Sequence, residues 1–268
     1  MSLVGTVRKF AAILRRDCRD SLRRRAGFII QAGTMAAELA AFYFFARAIG
    51  AHFRPNGMDY YPYLLVGAAM FSFYISGAND FVSMLKEAQI TGTLEVMMNT
   101  STSPPMMIAL SSCSIFSGRT LRLVAFLAGG AVPVAHVFHP NLPAAALVIA
   151  LSVLVAVSLG MFAASAQLLL HRGDAVIRLF WVVGWLLSGM AFPVSGLPGG
   201  LRQVAGLVPA TYSIQALRAA LLQDGTWGPV MRPAILLASG AAILLPVSAI
   251  VLTVVVNRAR ADGTLSFY

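Results

Sequence analysis

A chain of 268 residues that is 58% hydrophobic and 11% charged, with a mean hydropathy of +0.78, lies far from the roughly 45–50% apolar and 25% charged make-up of soluble domains. That excludes a water-soluble globular fold and, with apolar runs of roughly 20 residues, predicts an all-α polytopic membrane protein whose helices cross the hydrocarbon with their backbone groups internally bonded. The net charge of +10 would suggest nucleic acid in a soluble protein, but eight of the twenty basic residues fall within the first 25 positions. There the positive-inside rule and attraction to anionic membrane lipids account for them, and nucleic acid is not an expected partner.

In the first 26 residues, Leu3, Val7, Phe10, Leu14, Cys18 and Leu22 recur at helical steps while arginines occupy much of the opposite face. This pattern predicts an amphipathic helix lying in the cytoplasmic interface, against the alternative of a solvated charged arm. A cleaved signal peptide is not expected, because the first apolar run is already as long as a full span. Residues 27–268 are expected to form one transmembrane domain of six spans.

Span one is predicted over Gly27–Ile49, with Gln31, Thr34 and Glu38 on one inward face. Span two covers about Tyr60–Met84; it carries a stripe of Ser72, Ser76, Asn79, Asp80 and Ser83, and Tyr60, Tyr61 and Tyr63 suit an interfacial belt. The polar segment KEAQITGTLEV, residues 86–96, then interrupts the apolar chain, with helix-forming flanks around Thr91-Gly92-Thr93 that predict a short surface helix and a tight turn. On local chemistry it is either a solvated connection or a surface presented to a soluble partner. A helix restarts at Pro104–Pro105 and span three runs to about Pro133, longer than one crossing needs.

Span four is placed at about Pro143–Leu170, and HRGDAVIR leads into span five at about Ala175–Met190. Two patterns too short to cross, Leu197–Leu207 and Thr211–Leu222, are broken by Pro193, Pro198, Gly199, Gly200 and Pro209. They predict two short re-entrant half-helices on the outer side. Span six is expected over Pro233–Val256, kinked at Pro246. Six crossings return both termini to the cytoplasm. Arg202, Arg218 and Arg232 then fall outside, against the charge rule, and the first two are expected to be shielded within the half-helices.

No catalytic pattern emerges. With only two lysines, Lys9 and Lys86, neither after a glycine-rich run, a phosphate-binding loop is excluded, and neither a zinc-protease helix nor a nucleophile elbow is present. His136 and His139 flank no carboxylate or thiol and read as loop residues, so no metal is expected. Cys18 and Cys113 have no oxidising compartment in which to pair. An ionisable group inside the bilayer costs about 2.5–3.5 kcal/mol even on permissive scales. Glu38 is therefore expected to pair with Arg119 or Arg122, either as a structural clamp or within a translocation path.

EAQITGTLEVMMNTSTSPP, Glu87–Pro105, resembles the cytoplasmic loop of ABC-2 type exporter permeases, with its Thr-Gly-Thr-Leu-Glu core and following Ser-Pro stretch. Leu186–Leu222 resembles the same family's fifth span and outer half-helices, including Pro209, Thr211 and Tyr212. The resemblance implies a permease subunit without a catalytic site of its own in a bacterial inner membrane. It would pair with a second permease, identical or different, and with cytoplasmic ATPase subunits that bind ATP and Mg2+.

By the same resemblance, Lys86, Glu87, Gln89, Thr91, Gly92, Thr93, Leu94 and Glu95, together with the N-terminal helix, would be the ATPase-coupling surface. Pro193, Gly196, Pro198, Pro209, Thr211 and Tyr212 would belong to the outer gate. The cargo would be amphipathic or lipophilic: a drug, lipid, peptide or lipid-linked glycan. Rival readings are a membrane scaffold and an intramembrane enzyme that uses Glu38 or Asp80 with an arginine on a lipid-linked substrate.

Overall fold

The computed structural model describes residues 25–50, 52–90, 104–169, 174–223 and 225–261. Residues 1–24, where most of the interface helix was expected, and Thr91, Gly92, Thr93, Leu94 and Glu95 of the polar segment lie outside them. The described residues form eight α-helices and no strand: α1 (Arg25–Ile49), α2 (Tyr60–Ile90), α3 (Pro104–Ala131), α4 (Leu142–Leu169), α5 (Asp174–Leu187), α6 (Gly199–Ala205), α7 (Pro209–Leu222) and α8 (Gly228–Ala261). Five of these, α1, α2, α3, α4 and α8, are long and apolar enough to cross a membrane, so the chain is a multi-pass membrane protein.

The predicted fifth span is shorter than expected. Helix α5 has 14 residues, about 21 Å at 1.5 Å per residue, against the ~30 Å of a bilayer core. It stops three residues before the expected boundary because the chain turns at Ser188-Gly189-Met190, where Gly189 adopts φ +72°, a conformation that favours glycine. The two short patterns fold as two helices, α6 of seven residues and α7 of fourteen. The flank MLKEAQ, expected as a separate surface helix, instead prolongs α2 to Ile90. Nothing in Leu85–Gln89 breaks helical geometry, since none is glycine or proline. Helix α8 runs through both Pro233 and Pro246.

Helix α2 is the axis of the bundle. Leu64, Leu65, Val66, Met70 and Tyr74 are almost completely buried, and α2 packs against α3, α4, α7 and α1. Small residues let the neighbours close in: a Cβ on Gly77 would lie 3.0 Å from Phe116 Cζ, and one on Gly67 would lie 2.6 Å from the Met190 carbonyl oxygen. Close backbone approach of this kind drives helix association where lipid is as apolar as the side chains. By contrast α1 leaves Ile29, Ile30, Phe44 and Phe45 exposed, an apolar surface suited to lipid or to another membrane chain.

The ends of the bundle are held differently. At the end where α1 begins and α8 finishes, Phe81, Met161, Ala164, Leu252 and Val256 form a small apolar cluster. At the distal end the connections are tied by polar bonds. Asn141 caps α4 by accepting from the Ala144 N–H at 3.1 Å and donates its side-chain amide to Gly225 O at 2.7 Å. The backbone N–H groups of His139 and Asn141 donate to Leu221 O and Ala220 O at 3.0 and 2.8 Å. They satisfy two carbonyls that the C-terminus of α7 would otherwise leave open. The histidine loop is thus a fastening for the half-helix.

Candidate functional site

Two ion pairs link α1 and α2 to α3, although Gln31, Thr34 and Glu38, expected on an inward face, are all exposed because α1 packs at the edge of the bundle. Glu38, near the middle of α1, meets Arg122, the two approaching to 3.6 Å. Arg119 instead grips Asp80 of α2 through two bonds, Nε to Oδ2 at 2.5 Å and Nη2 to Oδ1 at 2.7 Å. The bidentate fork gives this second pair the stronger geometry. Sequence depth matched Glu38 with either arginine; the structure distinguishes them because Arg119 and Arg122 sit three residues apart on one face of α3 and meet different neighbours. Both arginines border a cleft of about 20 Å3 with Ser72 and Ser76, the first two residues of the polar stripe read from span two.

The distal end contains a feature that the sequence reading did not assemble. Arg218 of α7 is 5% exposed, yet among the described residues no carboxylate accepts its bonds. Its Nε donates to Tyr63 O at 3.1 Å, Nη1 to Gly189 O at 2.9 Å and Nη2 to Met190 O at 2.7 Å. The guanidinium carbon lies 3.4 Å from the Tyr63 ring centroid, a desolvated cation–π contact. The Tyr63 hydroxyl donates in turn to Gly189 O at 3.2 Å. One cation therefore joins α2, the turn after α5 and the half-helix α7. Its sequence signal was a lone arginine in an apolar helix against the charge rule; its partners are backbone carbonyls, which no side-chain pattern reveals.

Of the two arginines expected to be shielded, Arg218 is buried, whereas Arg202 is exposed. Helix α6 is only two turns long and presents that residue to the distal surface instead of covering it.

The expected gate residues form the joint between the half-helices. Pro209 opens α7, where its missing N–H is no loss. The Thr211 hydroxyl donates to Ala205 O at 3.1 Å and the Tyr212 hydroxyl to Gly206 O at 2.6 Å, closing the last carbonyls of α6. Pro193 caps a short turn over Val194–Gly196, which Gly196 ends, and Pro198 precedes α6. One step deeper, Tyr74 and Ser213 share a buried hydrogen bond at 2.5 Å between α2 and α7.

Under this joint opens a cavity of about 680 Å3, bordered by Asn56, Arg202, Gln215, Arg218, Gln223 and Arg232 among others. At the opposite end, Lys86 and Glu87 lie on the last two turns of α2 and Gln89 follows at its terminus. Among the described residues no group of three or more metal-ligating side chains comes together.

Comparison with curated protein sequences finds no match. The sequence pattern that defines the family described as ABC-2 type transporter matches residues 8–222, about four-fifths of the chain, from the basic N-terminal segment to the last residue of α7. The polar segment, the ion-paired helices and the jointed half-helices all fall within that match, and the chain belongs to the ABC-2 type transporter family as a transmembrane permease of an ABC-type transporter.

Proposed function

We propose that the chain is the membrane-embedded half of an exporter, moving an amphipathic or lipophilic cargo (drug, lipid, peptide or lipid-linked glycan) out of the cytoplasm or inner leaflet by alternating access. A separate ATPase subunit, holding ATP and Mg2+, supplies the energy. The family match over residues 8–222 carries this reading, since permeases of this family work with ATPase subunits and generally have no catalytic site of their own.

The path of α2 supports a mechanism. It runs as one helix from Tyr63, beneath the Arg218 carbonyl clamp, to Lys86 and Glu87, about 35 Å at 1.5 Å per residue. Force applied by an ATPase at Lys86–Glu95 and the N-terminal helix reaches the half-helix joint along that rod. Its packed neighbours then move as rigid bodies between two arrangements. In this account the basic residues keep both termini in the cytoplasm of a bacterial inner membrane. Two permeases, identical or different, enclose the cargo path between them, and Glu38, Asp80, Arg119 and Arg122 hold its wall.

Purification of the full chain from its membrane should bring with it an ATP-hydrolysing protein. Gly92→Val or Glu95→Ala should lower cargo-stimulated ATP turnover at least about tenfold, the effect of ~1.4 kcal/mol of lost coupling, while the permease stays monodisperse. Unchanged turnover in both variants, or chemistry on a lipid-linked substrate by the permease alone, contradicts the reading.

A further inference from the structure

The distal cavity is lined by cations from three separate elements: Arg202 of α6, Arg218 of α7 and Arg232 of α8. Among the described residues that border it there is no carboxylate; Asp224 lies outside the described residues. The nearby Arg54 and Asp59 pair with each other at 3.2 Å and so leave the balance of charge unchanged. Arg218 is held inside by three carbonyls and the face of the Tyr63 ring, three of its five N–H groups donating to the carbonyls, so no opposite charge neutralises it in those contacts. Arg202 and Arg232 remain exposed at the rim, with the amides of Asn56, Gln215 and Gln223 as further donors.

We propose that this cavity binds a phosphate group carried on an amphiphile. Arginine matches anionic oxygen with a planar fork of donors. A planar carboxylate is satisfied by one such fork, whereas a phosphate presents oxygens in several directions, as three cations on three elements require. The volume of about 680 Å3 lies within the ~300–1,000 Å3 of small-molecule sites and exceeds what a bare phosphate fills. Met58, Val194, Pro193 and Pro233 add apolar wall beside the polar donors, matching a headgroup that carries the start of its chains. The site deepens the export reading by naming the chemical class of cargo or lipid met at this end, and it rests on that reading only for the source of the ligand.

The test is calorimetric titration of the purified full-length chain in an uncharged detergent, without any ATPase, so that failure of ATP coupling leaves it untouched. The probe is dihexanoylphosphatidic acid, and dihexanoylglycerol is the same body without phosphate. The phosphate-bearing probe should bind at least about tenfold more tightly than dihexanoylglycerol, the Arg202→Gln/Arg232→Gln variant should lose about tenfold or more in its affinity, and Arg202→Lys/Arg232→Lys should stay within about threefold.

Both rim positions are exposed, so the variants should elute as the parent does. Competition by inorganic phosphate at concentrations similar to the probe's would identify free phosphate as the ligand of the same site; failure to compete would identify the amphiphile. Equal binding of the two probes, or an unchanged affinity in the glutamine variant, overturns the proposal.

Discussion

Replacing Arg218 by Met should cost about 3 kcal/mol or more and abolish recovery of a monodisperse permease at moderate temperature, read as the midpoint of a thermal size-exclusion profile. Hydrogen bonds from a charged donor are worth about 1.5–3 kcal/mol each, and Arg218 makes three, to Tyr63, Gly189 and Met190. Methionine fills the volume but leaves those carbonyls without their donor in an apolar setting. Lysine keeps the charge but is a point donor that cannot reproduce the fork, so Arg218→Lys should recover only part of the loss.

Two gentler variants separate the terms. Tyr63→Phe removes only the bond to Gly189 O and should cost about 1 kcal/mol. Tyr63→Leu also removes the ring under the guanidinium and should cost about 2 kcal/mol beyond that. A midpoint unchanged in Arg218→Met would mean that the half-helix is held by its apolar face alone.

Asp80→Asn is expected to be the second most damaging single change. It strips Arg119 of its bidentate partner and leaves a cation inside the helix bundle. Breaking a buried pair from one side costs about 3–5 kcal/mol, while replacing both partners by apolar residues of similar size is often neutral. Asp80 is 36% and Arg119 24% exposed, which puts the expected loss below that range, at about 2 kcal/mol. Asp80→Leu/Arg119→Met should therefore restore most of the midpoint lost by Asp80→Asn.

The looser pair responds differently: Glu38 and Arg122 stand 3.6 Å apart and Glu38 is 47% exposed, so Glu38→Gln should move the midpoint by less than about 1 kcal/mol equivalent. If transport also survives Glu38→Gln, that charge is dispensable to the cargo path. Greater damage from Glu38→Gln than from Asp80→Asn would reverse the assignment of the stronger clamp.

Hydropathy and helix punctuation made most of the bundle legible. The boundaries read for α1 and α4 lie within two residues of those in the structure, because long apolar runs bounded by arginine, glycine or proline leave little freedom in where a helix ends. The restart at Pro104 was legible for the same reason. Helix α5 was overrun because a single backbone reversal at Gly189 has no hydropathy signature.

Charges inside the bundle were legible as a need for partners, since lone ions in hydrocarbon are too costly, but not as a choice of partner. Which helix faces Arg119 depends on rotation about α3, and helical spacing fixes a face without saying what lies opposite. The partners of Arg218 left no trace in side-chain pattern: it is satisfied by three carbonyls and a ring, and carbonyls are common to every residue. Thr91-Gly92-Thr93 stood out as the polar break in an apolar chain, and its role as a coupling surface rests on the family resemblance.

The central claim is that the polar segment faces the compartment of the ATPase and the jointed half-helices face the other. With Cys18 and Cys113 changed to serine, a membrane-impermeant maleimide applied to intact cells tests it at two positions, Thr93→Cys in the segment and Ser195→Cys on the exposed turn before α6. The account predicts labelling at position 195 in intact cells, and at position 93 only after the membrane is opened. Labelling at position 93 in intact cells, with position 195 protected until permeabilisation, would invert the topology and contradict it.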